Sequence, residues 1–527
     1  EDTFLVLYSM YMDLQHEFGE RERVLGQLKN NLMPDVYDFL TPAGSIWDAA
    51  IDNSQYQESK LPTSGFDLAP VLNNLSLNEA DFNLFGAPPE ASKGSNSWAI
   101  GGQISNTGSA ILADDMHLGL GVPNIWYRAS FRYQDQQHKV RVDGVTLPGT
   151  PVMVVGSNHK VAWGFTNSYG DWNDVILLRL NEQGDQYLTP DGYKPFELET
   201  EVVLVSGAGA ESIEIKKTIW GPVIGRNEDG TYLALRWVAH DAQGVNLNII
   251  ALEQSQNVEQ AIHVANRSGI PAQNFVTADN KGNIGWTIAG PMPKKFGASN
   301  SSADGWAIPQ DWSQGKLGWR GYLSPNEYPK VINPNQHRLW TGNSRVVGGK
   351  HYEKIGNGGY ALGARSQQIR DGLFANANFD EAAMFALQQD DKAVFLTRWH
   401  GYLLDNVLSY DFVQAEHLSS LLLHLQNWQQ RASVDSVGYL FVRQFRANFQ
   451  QAMFRPLEES IQAHAMLSDQ AFSLYPLRHQ LEIPMWQMLT ARPDHLLPKD
   501  QVSWQTFLQN LVKQTVTELE SQYGSLD

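Results

Sequence analysis

The sequence changes character at Gly94-Ser95, and this change constrains the fold more than any other feature of the chain. Before it, residues 53–93 are rich in Asn, Ser, Gln, Pro and Asp and have few periodic apolar positions. This is the composition of a linker, and a polar segment of about forty residues is unusual inside a compact domain. After it, Ser97-Trp98-Ala99-Ile100 is strand-like and ends at two glycines. We therefore predict that residues 53–94 are a spacer, disordered or removed, and that a new unit begins at Ser95.

Helical and extended patterns occupy different parts of the chain. Residues 1–52 carry apolar residues at helical spacing, and we predict that they form helices. From Ser95 to about residue 365, short apolar runs are bounded by Gly, Pro, Asn or Asp, which predicts β-strands. Beyond about residue 365 the spacing is helical again, and we predict helices in the remainder of the unit 95–527. These patterns alone establish a mixed α and β protein.

Composition excludes several classes of protein. The 527 residues include no cysteine, so cysteine nucleophiles, thiolate metal sites and disulfides are excluded. The net charge of -18 argues against nucleic acids and anionic membranes as partners, because both favour basic patches. Since no run of about 18 apolar residues occurs, we expect no transmembrane helix. The chain opens inside a helix-like pattern without a visible signal peptide, so we expect an upstream segment.

Common catalytic motifs give little support for other chemistries. Ser157-Asn158-His159-Lys160 fits the S-x-x-K pattern of serine β-lactamases, but the partner motifs S-D-N and K-T-G are absent. Neither G-x-S-x-G nor H-E-x-x-H occurs, which weakens the case for an α/β-hydrolase or a catalytic zinc site. If the chain is cut before Ser95, the serine hydroxyl gains a base on the same residue, an α-amine with a pKa of about 7.7–8.0. On the local pattern alone, a loop serine before a strand is the commoner explanation.

Several other segments agree with the stretch at Ser95 in order and spacing. Together with Gly94-Ser95-Asn96-Ser97-Trp98 they resemble the penicillin acylase family of N-terminal nucleophile hydrolases, which also contains acyl-homoserine-lactone and cephalosporin acylases. The resemblance covers about residues 2–390 and is strongest over 114–118, 147–151 through 162–167, and 340–345, while 279–286 also resembles a hairpin of the family. It implies an α+β fold, a four-layer αββα sandwich with additional C-terminal helices. It also implies that residues 1–52 end an α chain, and that residues 95–527 are a β chain from the same precursor.

The resemblance implies that the site residues are Ser95, His117, Asn167, Asn343 and Arg365. Cleavage between Gly94 and Ser95 would expose Ser95 as the nucleophile, and its own amino group would take the proton of the hydroxyl. The side chain of Asn343 and the backbone N–H of Asn167 would stabilise the tetrahedral oxyanion. His117 lies 22 residues after Ser95, where the lactone and cephalosporin branches carry histidine and the penicillin G branch carries glutamine.

Two of these assignments have alternatives. His117 would orient the amine and hydroxyl of Ser95 and assist self-cleavage, whereas the alternative is a packed core histidine. Arg365 matches the family arginine near the active asparagine better than Arg345 does, and an ordinary salt bridge is the alternative for that arginine.

The resemblance further implies a structural calcium ion that ties the α and β chains together, and no organic cofactor. Asp171 and Asp174 match family ligands, and carboxylates separated by a turn suit a hard cation that takes six to eight oxygens. Glu22 would be the ligand from the α chain, with Glu20 close enough to compete. The alternative for the acidic pair is a solvated turn.

The expected function is that of a self-cleaving linear-amide hydrolase. Its substrate would be a small N-acyl amide, with acyl-homoserine lactones favoured by His117 and β-lactam antibiotics next. By analogy with the family, the protein would be periplasmic or secreted. A different class also fits the sequence, namely an uncleaved, inactive precursor or a non-catalytic binding protein on the same scaffold. Two bands on a denaturing gel would distinguish a matured acylase from either.

Overall fold

The computed structural model describes residues 2–15, 18–66, 94–135, 138–207, 209–227, 229–299, 305–464 and 472–525. Three helices open the chain: α1 (Asp2–Leu14), α2 (Glu20–Asn31) and α3 (Pro34–Leu40). The helix predicted up to residue 52 stops at Leu40, and turns follow. Pro42 explains the early end, because proline disfavours helical backbone at the preceding residue and has no N–H to donate.

Part of the predicted spacer lies against the N-terminal helices. The carboxylate of Asp35 accepts hydrogen bonds from Thr63 and from the backbone N–H of Ser64, at 2.8–3.0 Å. The hydroxyl of Ser59 donates to the Phe39 carbonyl at 2.9 Å. Residues 53–66 are therefore held by the helical region. Residues 67–93 lie outside the described residues, so the spacer stays a prediction.

The strands lie between residues 94 and 341. They are β1 (Gly94–Ile100), β2 (Ile111–His117), β3 (Tyr127–Asp135), β4 (His138–Thr146), β5 (Val155–Ser157), β6 (Val161–Asn167), β7 (Asn173–Leu177), β8 (Gln186–Thr189), β9 (Gly192–Pro195), β10 (Glu197–Val205), β11 (Gly209–Lys217), β12 (Val223–Arg226), β13 (Tyr232–Trp237), β14 (Gln273–Asp279), β15 (Ile284–Ala289), β16 (Pro293–Phe296), β17 (Gly318–Tyr322), β18 (Lys330–Ile332) and β19 (Arg338–Thr341). Among the described residues one α-helix, α4 (Val258–Ala265), and a few short 3-10 helices interrupt them. The last strand ends at Thr341 and helices follow from Gly349, close to residue 365, where the change from strands to helices was predicted.

Two antiparallel sheets form the centre of the molecule. The larger has the order β18-β15-β14-β6-β5-β4-β3, and the smaller has the order β19-β1-β2. Strand β1 is thus the middle strand of the smaller sheet, with Ser95 opposite Met116 and Trp98 opposite Trp340. Smaller units are the sheet β12-β13-β7 and the ribbons β8-β9, β10-β11 and β16-β17.

The two central sheets face each other, and helices cover their outer faces. Side chains of β14 alternate, so that Phe275 packs with α4 while Val276 packs with Trp98 of β1. The sheets approach closely at Gly164 of β6, where a Cβ atom would lie 2.3 Å from the Asp114 carboxylate of β2. Since α4 contacts β14 and β15, and later helices contact β19 and β2, the layers run helix, sheet, sheet, helix.

The later helices complete the chain and enclose the helical N-terminus. They are α5 (Gly349–Ile355), α6 (Ala364–Ala375), α7 (Glu381–Gln388), α8 (Val394–Asn406), α9 (Tyr410–Ala415), α10 (Ser419–Gln426), α11 (Val437–His464), α12 (Glu482–Ala491) and α13 (Trp504–Tyr523). The apolar faces of α8 to α13 share one core with Leu28 of α2 and Phe39 of α3, whereas α5, α6 and α7 pack in the core that contains Trp98 of β1. In the described part of the chain, every helix is too short or too polar to cross a membrane.

Candidate active site

Ser95 lies near the start of the central strand β1, and its hydroxyl oxygen accepts hydrogen bonds from two N–H groups. Ser95 is 7% exposed. Its Oγ accepts a hydrogen bond from the Asn167 backbone N–H at 3.2 Å and another from Asn343 Nδ2 at 3.1 Å. In the uncut chain the Ser95 backbone N–H donates to Asn343 Oδ1 at 2.7 Å. The structure therefore brings together the predicted nucleophile and both predicted oxyanion donors.

The Asn343 side chain is fixed by four hydrogen bonds. Its Oδ1 accepts from Ser95 and, at 2.8 Å, from Arg365 Nη2, while its Nδ2 donates to Ser95 Oγ and to the Asn167 carbonyl at 3.0 Å. The residue follows β19 in a left-handed conformation, with φ of 65°, that asparagine adopts more readily than most residues. All four polar positions of the amide are used, so the donor toward Ser95 is held in place before any substrate binds.

Arg365, in the first turn of α6, holds the same residues from the other side. Its Nη1 donates to the Ser95 carbonyl at 3.0 Å and to Asn96 Oδ1 at 2.5 Å. Arg345 makes a separate ion pair, with its Nη2 at 2.7 Å from Asp48 Oδ2. The structure thus places Arg365, and not Arg345, at the serine.

His117 does not contact the serine as its predicted role requires. Opposite residues in antiparallel strands point to the same face, and the register pairs Gly94 with His117 and Ser95 with Met116. The ring therefore lies on the face opposite the Ser95 side chain. Its Nε2 lies 2.9 Å from Asp115 Oδ2, and among the hydrogen bonds of the described residues none joins His117 to Ser95.

Asp115 and Asn96 connect His117 to the serine indirectly. Neither was a predicted site residue, although both lie in the motifs that carry the resemblance. The hydrogen bond from His117 holds the pKa of the Asp115 carboxyl below its ordinary value. Asn96 Nδ2 lies 3.5 Å from that carboxylate, and Asn96 Oδ1 accepts from Arg365. Asn96 Nδ2 also lies 3.4 Å from His117 Nε2, so only the Asn96 side chain separates His117 from the arginine that contacts Ser95.

The competing S-x-x-K pair is not assembled. The Oγ of Ser157 accepts from the His159 backbone N–H at 3.0 Å, whereas the Lys160 ammonium donates to the Gln256 side chain. The serine and lysine of this pattern thus point to different partners, as expected of a chance match.

An apolar cavity of about 150 Å³ adjoins Ser95. Cavities of about this volume that are lined by aliphatic and aromatic side chains bind benzene-sized molecules. The wall consists mainly of apolar residues contributed by α1, β2, β6 and the segments around them: Leu7, Met10, Leu14, Met116, Leu118, Trp126, Leu147, Val152, Val154, Val155, Phe165, Ile249, Ile270 and Pro271. The site can therefore hold an apolar group next to the serine hydroxyl.

The three predicted acidic residues lie together in one cluster. Oxygen atoms of Glu22, Asp171 and Asp174 all lie within 4.8 Å of one another, and all three residues are buried. Burial raises the pKa of each carboxyl, that of Asp174 to about 7. Glu22, not Glu20, is the member from α2. A residue absent from the prediction, Lys295, lies among them, with its Nζ 2.7 Å from Asp171 Oδ2.

Comparison with known proteins gives a match over the whole chain. The family model described as penicillin amidase matches residues 1–527. An acyl-homoserine lactone acylase, QuiP of Pseudomonas aeruginosa, is 28% identical over 428 residues, which are 76% of this chain and 47% of that relative. Penicillin acylase 2 proenzyme of Pseudomonas sp. is 28% identical over 307 residues, 56% of this chain and 38% of that relative. The chain thus spans less than half the length of these curated relatives.

A solved structure matches at the level of fold. Thermostable penicillin G acylase from Alcaligenes faecalis superimposes with a TM-score of 0.61 and 19% sequence identity, over 81% of this chain and 79% of that one. This likeness confirms the N-terminal nucleophile hydrolase fold that the motifs predicted, including its αββα layers.

Proposed function

The chain belongs to the penicillin amidase family, and we propose that it is an acylase whose nucleophile is Ser95 after cleavage of the Gly94-Ser95 bond. The observation that carries the proposal is the position of the Ser95 hydroxyl. It lies between two N–H donors at 3.1 and 3.2 Å and beside an apolar cavity. A nucleophile, preorganised oxyanion donors and room for an acyl group are the parts that acyl transfer to water needs.

Self-cleavage uses the serine hydroxyl on its own chain. Ser95 Oγ attacks the carbonyl carbon of Gly94, the C–N bond breaks, and an ester and a free amine form. Water then hydrolyses the ester, which leaves a carboxylate on Gly94 and the amine on Ser95. Asn343 Oδ1 already accepts from the Ser95 nitrogen at 2.7 Å, so the departing amine remains in place beside the hydroxyl.

In substrate hydrolysis the Ser95 hydroxyl again attacks an amide carbonyl, now that of a bound substrate molecule. The Ser95 amine takes the proton of the Ser95 hydroxyl as the oxygen attacks the amide carbonyl. Negative charge on the carbonyl oxygen is stabilised by Asn343 Nδ2 and the Asn167 backbone N–H. The amine passes its proton to the leaving group, and water releases the acyl group from the serine in a second step.

We propose N-acyl-homoserine lactones as the preferred substrates and β-lactams with an apolar side chain as the second choice. The apolar wall of the cavity suits an aliphatic acyl chain, and a volume of about 150 Å³ is also large enough for an aromatic ring. Incubation with acyl-homoserine lactones and with penicillin G tests the order. We expect free homoserine lactone to form faster than 6-aminopenicillanic acid. Activity on penicillin G alone would contradict this order.

Narrowing the cavity should shorten the preferred acyl chain. We expect Val154→Phe to lower kcat/KM for long acyl chains relative to short ones by at least about tenfold, because each methylene excluded from an apolar pocket typically costs 10–200-fold. Val154 lines the cavity. Val203→Phe is the matched control, since Val203 lies on strand β10 and is 45% exposed. An unchanged chain-length profile in Val154→Phe would show that the acyl group binds elsewhere.

Shortening Arg365 should slow the reaction while the protein stays folded. Arg365→Lys removes the forked contact with the Ser95 carbonyl and Asn343 Oδ1, and we expect kcat to fall by about 10–100-fold with little change in KM. Arg370→Lys, on the same helix, is the control, because Arg370 pairs only with its neighbour Asp371 in the hydrogen bonds described. Equal kcat for both variants would mean that Arg365 does not position the site.

A further inference from the structure

We propose that the ammonium group of Lys295 takes the place of a bound calcium ion in the acidic cluster of Glu22, Asp171 and Asp174. The chain would then hold α2 against the β-rich unit with a cation that is part of its own sequence. This inference concerns how the two parts stay together, and it is independent of the substrate.

The lysine ammonium is satisfied by the two aspartates. Its Nζ lies 2.7 Å from Asp171 Oδ2, 2.9 Å from Asp174 Oδ2 and 3.0 Å from Asp174 Oδ1. An ammonium group has three N–H donors, and these contacts use them all. The lysine side chain is 9% exposed and the two carboxylates are 8% and 3% exposed. The positive charge is therefore buried at the centre of the cluster.

Other donors occupy oxygen atoms that a calcium ion would need. The Trp319 indole N–H donates to Asp174 Oδ2 at 2.5 Å, and the Val175 backbone N–H donates to Glu22 Oε2 at 2.8 Å. Calcium binds six to eight oxygens at about 2.3–2.6 Å. With the lysine and these N–H groups in place, the carboxylates do not offer that shell, and a second cation would lie beside the ammonium. The cluster therefore does not fit a calcium ion while Lys295 points into it.

Aromatic rings complete the surroundings of the ammonium. Lys295 Nζ lies 5.1 Å from the centre of the Trp306 ring and 5.8 Å from that of Trp319. Aromatic faces attract organic cations at these distances, but carbon rings supply no oxygen ligands for calcium. The environment thus matches the chemistry of an ammonium group.

The cluster brings together three parts of the chain: Lys295 pairs with the two aspartates, and its charge also attracts the Glu22 carboxylate, whose oxygen lies within 4.8 Å of theirs. Glu22 lies on α2, Asp174 on β7 and Lys295 on β16. If the spacer is cut, α2 is no longer joined covalently to the unit that begins at Ser95. A buried ion network between them is then one of the contacts that keep the two pieces together.

Calcium dependence tests the proposal in the full-length protein. After dialysis against EDTA, we expect titration calorimetry with CaCl2 to show no binding at this site and the midpoint of thermal unfolding to be the same in EDTA and in CaCl2. Lys295→Ala removes the cation and leaves three buried carboxylates, so we expect its midpoint to fall by about 5 °C in EDTA. Added CaCl2 should bind this variant and restore part of the loss.

Lys294→Ala is the control, because Lys294 is on the same strand but its side chain is 50% exposed and pairs with Glu327. Stoichiometric calcium binding by the unaltered protein, with a lower midpoint in EDTA, would overturn the proposal. So would a Lys295→Ala variant that keeps its midpoint or that calcium does not restore. If Lys295→Ala fails to fold, the measurements on the unaltered protein decide the question alone.

Discussion

Replacing Ser95 with alanine is expected to leave the chain in one piece and to reduce amide hydrolysis by at least about 10⁴-fold. The same hydroxyl attacks in both reactions, and no other hydroxyl in the described residues lies between the Asn167 and Asn343 donors. Loss of the oxygen leaves the Asn167 backbone N–H without its acceptor, which should cost about 1–3 kcal/mol of stability without unfolding the chain. The prediction is checked by denaturing gel electrophoresis for the cut and by release of homoserine lactone for hydrolysis.

Ser157→Ala is the matched control for this experiment. Ser157 is the serine of the S-x-x-K pattern, and its hydroxyl contacts the His159 backbone rather than the Lys160 ammonium. This variant should be cut and should turn over substrate like the unaltered protein. If the Ser95→Ala protein still separates into two fragments, or if Ser157→Ala is the inactive variant, Ser95 is not the nucleophile.

Replacing Asn343 with aspartate is expected to lower kcat by about 10²–10³-fold. The substitution keeps the shape of the side chain and its acceptor toward the Ser95 nitrogen, but it exchanges the donor at 3.1 Å from Ser95 Oγ for a carboxylate oxygen. Negative charge there repels the oxyanion that forms in the transition state. Because the donor acts mainly in the transition state, KM should change much less than kcat. Steady-state kinetics on pre-cut protein separate this effect from slower maturation.

Asn333→Asp provides the corresponding control. Asn333 is another asparagine with positive φ, 47°, and its side chain donates to Asn283 instead of the serine. This variant introduces the same charge in the same backbone conformation and should retain full kcat. Equal activity of the Asn343→Asp and unaltered proteins would show that the oxyanion is stabilised by other groups.

The motifs predicted which residues meet, although they are distant in sequence. Asn167, Asn343 and Arg365 lie 72, 248 and 270 residues from Ser95, yet each makes a hydrogen bond with it. The distances between these residues along the chain do not show that they meet in the fold. The assignment depended on several segments that match the family in the same order. Strand patterns gave the β-rich region because short apolar runs between turn residues are a local property.

The sequence could not predict the positions of His117 and Lys295, because these depend on strand register and on burial in the folded protein. His117 was expected at Ser95, but strand side chains alternate in direction, and pairing with Gly94 places the histidine on the other face. Lys295 follows Lys294, and two adjacent lysines normally indicate a solvated surface. Only the fold shows that one is 50% exposed and the other is buried between two aspartates.

The state of the Gly94-Ser95 bond in active protein tests the central claim most directly. Intact-mass spectrometry and N-terminal sequencing should be applied to material that is turning over substrate. We expect a chain that begins at Ser95, with serine at its N-terminus and a free amine, in proportion to the measured activity. Full activity in a sample whose bond between Gly94 and Ser95 is still joined would contradict it.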